Sequence, residues 1–196
     1  MLFPALRISL AIVLLRAGPQ DMPFDATPRL LRETLLFTLV VYTAFWLIEF
    51  TLPQAMTAAA LLIAAQWLAI RATLSARQLQ NRFQQTLTAL LLTNSLLMLP
   101  MIPFMAKLAP IVKDWIEQLQ QHPDLINHTE QLPLTPPLPT LAFYLLSFWQ
   151  FVVNARIFSR AVDVGVAAGV LIAILVSIAT SLFVTFMGPL INFMGS

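Results

Sequence analysis

The stretch 164-VGVAAGVLIAILVSIATSLFVTFMGPLINFMGS-196 runs for 33 residues without a Lys, Arg, Asp or Glu. About 20 apolar residues in a helix cross the ~30 Å hydrocarbon core of a bilayer, so this segment alone is long enough to span one. The same absence of charge recurs at Thr34–Ile48, Phe50–Ile70, Phe83–Ala106 and Gln131–Ala155. A chain that is 59% hydrophobic, 10% charged and of mean hydropathy +0.81 over 196 residues cannot bury its apolar surface in a water-soluble core. The expected architecture is an all-α membrane bundle forming one domain, with no separate soluble module.

Five spans follow from the charge gaps: about residues 31–52, 54–70, 86–105, 140–155 and 163–190. Thr27-Pro28 reads as an N-cap with proline at the first helical position, and Pro53 marks a tight turn. The second helix is expected to continue through Arg71, Arg77 and Arg82, and Pro100 and Pro103 to kink or end the third. The first 18 residues predict a helix over Phe3–Leu15, stopped by Gly18-Pro19, too short to cross and lying at the interface with Arg7 and Arg16 among the headgroups. A shallow re-entrant piece or a short extra span is the alternative. No basic stretch precedes its apolar run and no small-x-small site follows, so a cleaved signal peptide is not expected.

Residues 107–139 form the one sizeable polar segment. Ile111, Val112, Trp115, Ile116 and Leu119 share a face opposite Lys113, Asp114, Glu117 and Gln118, which predicts an outer amphipathic helix over Pro110–Gln121. Leu132–Pro139 (LPLTPPLP) reads as a polyproline-like spacer. Placing the N-terminus in the cytoplasm leaves nine basic residues inside (Arg7, Arg16, Arg29, Arg32, Arg71, Arg77, Arg82, Arg156, Arg160) and two outside (Lys107, Lys113). The positive-inside rule thus selects a multi-pass protein of a bacterial inner membrane, N-terminus cytoplasmic and C-terminus periplasmic. The basic residues sit at span ends without a one-sided patch, so nucleic acid is not an expected partner.

Few residues suggest chemistry. Glu49 is isolated between Glu33 and Arg71 about one turn from the outer end of span one. It could relay protons or bind a cation, or simply reach the interface or accept a hydrogen bond from Gln54. Asn94 lies near the middle of span three, where an amide must find a partner, and Gln66, Gln150 and Asn154 lie nearer the span ends. Gly165, Gly169, Ala173, Ser177, Ser181 and Thr185 recur at every fourth position, a ridge of small side chains that permits close helix approach. Four residues turn the helix by ~400°, so the ridge winds ~40° per step past more than one neighbour. It could pack within the bundle, pair two copies or dock another membrane protein. His122, Asp124, His128 and Glu130 match no metal-ligand spacing, and neither a metal nor another cofactor is expected. There is no Cys, no Ser/His/Asp set and no paired carboxylates within one membrane layer, so catalysis is not expected.

Phe148-Trp149 leading into Arg156–Gly165 and a small-residue helix, within Phe143–Phe183, resembles the Yip family of five-span membrane proteins and its bacterial relatives. The run Arg16-Ala-Gly-Pro-Gln-Asp-Met-Pro-Phe24 is similar to a stretch of small proteobacterial inner-membrane proteins. The family's aspartate–glycine–proline signature is absent, so its link to Rab-dependent trafficking is not implied. What the resemblance implies is the five-span architecture and a partner-binding or assembly role. The leading expectation is therefore a non-enzymatic protein that binds or organises another membrane component, with the lipid bilayer and a membrane protein or second copy as partners. Its rival is a small transporter or lipid-handling protein with a polar path near Glu49 and Asn94 and the Pro100/Pro103 break.

Overall fold

A computed structural model describes residues 2–23, 29–122 and 133–188. Thr27-Pro28, Asp124, His128, Glu130 and the end of span five beyond Gly188 lie outside the described residues. Among the described residues there are six α-helices and no strand: α1 (Leu2–Val13), α2 (Arg29–Trp46), α3 (Leu52–Ala76), α4 (Phe83–Gln121), α5 (Pro137–Val162) and α6 (Val166–Phe186). Four of them, α3 to α6, are long and apolar enough to cross a membrane. The helix at the predicted first span, α2, has 18 residues and carries Arg29, Arg32 and Glu33 at its start.

Local chemistry sets the boundaries. At the start of α3 the Thr51 N–H donates to Gln54 Oε1 at 3.1 Å and Pro53 sits in the first turn, where its missing N–H costs nothing. Helix α3 ends earlier than the sequence suggests, at Ala76. Gln78 takes a left-handed conformation (φ 58°) and the Leu79 N–H returns to Leu74 O, so a single 3-10 turn over Gln80–Arg82 bridges to α4. At the end of α5, Asp163 is left-handed (φ 57°) and the Val164 N–H reaches Ser159 O, reversing the chain into α6 within three residues.

Helix α4 departs most from expectation. Pro100, Pro103 and Pro110 all lie inside one helix of 39 residues, and the predicted outer amphipathic helix is its far end rather than a separate element. Each proline deletes one backbone hydrogen bond, and the helix continues through all three. Every residue from Thr86 to Ser95 is buried, the pattern of a helix surrounded on all sides. At 1.5 Å per residue α4 is ~58 Å long, about twice a hydrocarbon core. Its projecting end is tied down where the Trp115 indole donates to Pro133 O at 2.8 Å. The spacer also shortens, because Pro137–Pro139 form the first turn of α5.

Helices α2, α3, α6, α5 and α4 pack in that order into a closed ring, each against the next. The Ser95 hydroxyl of α4 donates to Thr38 Oγ1 of α2 at 3.2 Å, and Glu49 further along lies beside Ala106, so α2 and α4 run in the same direction. Helix α1 covers the outside of α4, burying Ala5, Ser9 and Ile12. The Leu2 N–H donates to Glu33 Oε2 at 3.1 Å, near the start of α2, while the Trp149 indole of α5 donates to Val13 O at 3.0 Å. Gly18 then packs on the Arg160 side chain. Trp149 and Arg160 are separated by ~16 Å of helix, so α1 runs along the bundle and the chain comes back by Gly18, turning at left-handed Leu15 (φ 59°).

Candidate functional site: a polar cavity within the helix ring

The ring closes around a cavity of about 240 Å³ to which all five helices contribute. Its polar lining is Tyr42 of α2, Gln66 of α3, Asn94 of α4, Ser147, Gln150 and Asn154 of α5, and Ser177, Thr180 and Ser181 of α6. Leu62, Leu90, Met98, Phe151, Phe158, Ala173 and Val176 complete the wall, and no Asp, Glu, Lys, Arg or His lines it. The space would accommodate several waters at ~30 Å³ each.

Position along each helix decides which polar groups face it unsatisfied. In the run Thr93-Asn94-Ser95, the two hydroxyls turn back onto their own helix: Thr93 Oγ1 donates to Ala89 O at 2.7 Å and Ser95 Oγ to Leu91 O at 2.8 Å. Asn94, only 2% exposed, interacts with the Tyr42 hydroxyl, which lies 3.3 Å from the Gln66 amide, yet its Oδ1 has no hydrogen-bond partner. Asn154 Oδ1 and Thr180 Oγ1 are likewise buried without a partner. A lost hydrogen bond at such a site costs roughly 1–3 kcal/mol per group, so three unsatisfied atoms around one void are a concentrated liability. A molecule supplying donors in the void would remove it.

Of the residues the sequence singles out, Gln66, Asn94, Gln150, Asn154, Ala173, Ser177 and Ser181 meet at this cavity. Glu49 does not. It is exposed in a separate cleft of about 560 Å³ with Ile48, Phe50, Pro110, Lys113 and Ile116, at the base of the projecting end of α4. The ridge on α6 divides. Gly169 and Ala173 are buried, with Gly169 against Ala155 and Ser159 of α5, whereas Gly165, Ser177, Ser181 and Thr185 are exposed. Ser177 and Ser181 both line the cavity and reach the surface, which puts the cavity's edge on the α6 side.

Sequence reasoning did not find Tyr42 or Thr180. Thr180 lies one residue off the four-residue ridge, and the signal available was simply that it and Tyr42 are polar groups within long apolar runs. The assembled groups are amides and hydroxyls. They can recognise a ligand by hydrogen bonding and offer no group that titrates near neutral pH to carry a proton. Among the described residues no cluster of three or more His, Cys, Asp or Glu could hold a metal ion. Comparison of the chain with protein-family models, with curated proteins and with solved structures finds no match.

Proposed function

We propose that this chain is a non-enzymatic, multi-pass protein of a bacterial inner membrane that binds a small uncharged polar ligand, or the polar part of a lipid, in the five-helix cavity. The observation that carries this reading is the convergence of three unpartnered atoms, Asn94 Oδ1, Asn154 Oδ1 and Thr180 Oγ1, on one void. All three can accept a hydrogen bond, and no ionised side chain stands beside them, so a neutral donor-bearing molecule fits better than an ion. Glu49 has no part in this path.

In this proposal α2 also crosses the membrane, which brings the spans to five. Its 18 residues measure ~27 Å, and Arg29, Arg32 and Glu33 sit in the headgroup layer at one end. The N-terminus is cytoplasmic, on the strength of nine basic residues against two. The resemblance to the Yip family suits this architecture.

The test is co-purification in mild detergent followed by native mass spectrometry. The wild type should retain a bound small molecule or lipid that Asn94→Leu and Thr180→Val lose. The same bound species in all three proteins would sink the cavity reading.

A second reading has its own observation. Helix α6 is the least covered of the four long helices, and Leu171, Leu175, Ile178 and Leu182 are exposed along with Ser177, Ser181 and Thr185. On this reading the outer part of the ridge docks a membrane protein or a second copy of the chain. Crosslinking through α6 that survives loss of the cavity ligand separates the two readings.

A further inference from the structure

A second pocket, of about 410 Å³, lies at the end of the bundle where α4 begins and α5 ends. It is lined by Pro19, Gln20, Arg82, Gln85, Thr86, Arg160, Ala161 and Asp163. We propose that this pocket binds a phosphate group through the guanidinium groups of Arg82 and Arg160, as the phosphodiester of an anionic lipid.

Each wall is fixed. Arg82 Nη1 donates to Ala161 O at 3.2 Å and Arg160 O at 3.5 Å, capping the end of α5 and pinning this guanidinium to the pocket floor with further N–H donors to spare. The opposite wall is the turn Gly18–Asp21. It is closed by the Gly18 N–H donating to Asp21 Oδ2 at 2.7 Å and anchored to α4 by Gln85 Nε2 donating to Met22 O at 2.9 Å. A Cβ on Gly18 would meet Arg160 Cδ and the Gln20 side-chain oxygen, so both flexible side chains lie directly over this turn. The Arg160 stem is thereby seated while the residue stays exposed. Among the described residues, no hydrogen bond or ion pair takes up its guanidinium.

Depth and charge select the ligand. The charge-free sequence of α4 starts at Phe83, next to Arg82, and that of α5 ends at Ala155, about 7.5 Å of helix before Arg160, so the pocket lies where hydrocarbon gives way to headgroups. Guanidinium forks match phosphate oxygens, and basic pockets between spans are lipid headgroup sites. Asp163 in the lining and Asp21 in the turn stand against the two arginines, so the pocket has no excess positive charge for a phosphate dianion and suits a singly charged phosphodiester held by the guanidinium donors.

The test uses the full chain purified in mild detergent, with thermal unfolding followed against added dioctanoyl phosphatidylglycerol, inorganic phosphate or phosphate-free dioctanoylglycerol. Phosphatidylglycerol should raise Tm in proportion to its binding and dioctanoylglycerol should not. Arg160→Gln should weaken the apparent affinity roughly tenfold or more, from loss of a charged hydrogen-bond pair. Gln20→Glu, which sets a carboxylate beside the two arginines, should do likewise without lowering the ligand-free Tm. A matching rise with inorganic phosphate would assign the site to phosphate itself, and a rise with the lipid alone to the headgroup diester. Equal shifts with dioctanoylglycerol, or affinity unchanged in both variants, would overturn the proposal.

Discussion

A β-carbon on Gly169 would stand 2.5 Å from the carbonyl oxygen of Ala155 and 2.6 Å from Ser159 Cβ. No side chain fits there without moving backbone, so α5 and α6 touch through this glycine. Gly165, one step earlier on the same ridge, has nothing within 4 Å of the equivalent point. The pair makes a matched experiment. Gly169→Ser should destabilise by about 1–3 kcal/mol or more through overpacking. Gly165→Ser adds the same atoms at the N-cap of α6 and should be neutral or slightly stabilising. Thermal unfolding in detergent checks both, and equal effects would refute the close contact.

Asn94→Leu should separate stability from binding. Removing the amide relieves its unpartnered Oδ1, worth roughly 1–3 kcal/mol, against roughly 0.5–1.5 kcal/mol for the lost bond to the Tyr42 hydroxyl, so the ligand-free melting temperature should hold or rise even as the bound species is lost. A fall in stability without ligand would show that Asn94 is already satisfied inside the protein.

Trp149→Phe deletes the indole N–H that holds Val13 O while keeping most of the ring. A loss of about 0.5–1.5 kcal/mol is expected, concentrated on α1. Because the chain contains no Cys, Ser9→Cys supplies a single reporter on the buried face of α1. Its modification by a small maleimide should accelerate in the Trp149→Phe background and stay slow in the Ser9→Cys protein alone.

Orientation is testable with the same chemistry. In intact cells a membrane-impermeant maleimide should label Glu49→Cys, whereas Arg77→Cys should react after the membrane is opened. The reverse pattern would invert the topology.

How much of this was legible in the sequence depended on the kind of signal. Charge gaps located the apolar helices because the cost of placing Lys, Arg, Asp or Glu in hydrocarbon is large and local. The prolines of α4 pointed to a kink or an end, and the helix does not end at them, because each Pro removes a single backbone hydrogen bond while the residues around it keep theirs. Asn94, Gln150 and Asn154 could be noticed one by one as amides in apolar spans. Their meeting at one cavity depends on the rotation of each helix about its axis, which α4, buried on every face from Thr86 to Ser95, leaves unmarked in its own sequence. Glu49 was conspicuous for the opposite reason. A lone charge between two runs stands out in sequence even when, as here, it is exposed at a helix end.

The path of α1 fixes the parity of the fold. Leu2 pairs with Glu33 and Gly18 packs on Arg160, both at the end of the bundle where α2 and α4 begin. An element that enters and leaves by the same face adds nothing to the number of crossings, however deeply its middle reaches. The N-terminus is therefore expected in the compartment of the Arg82–Arg160 pocket, and a reporter fused to the chain's start would check that placement.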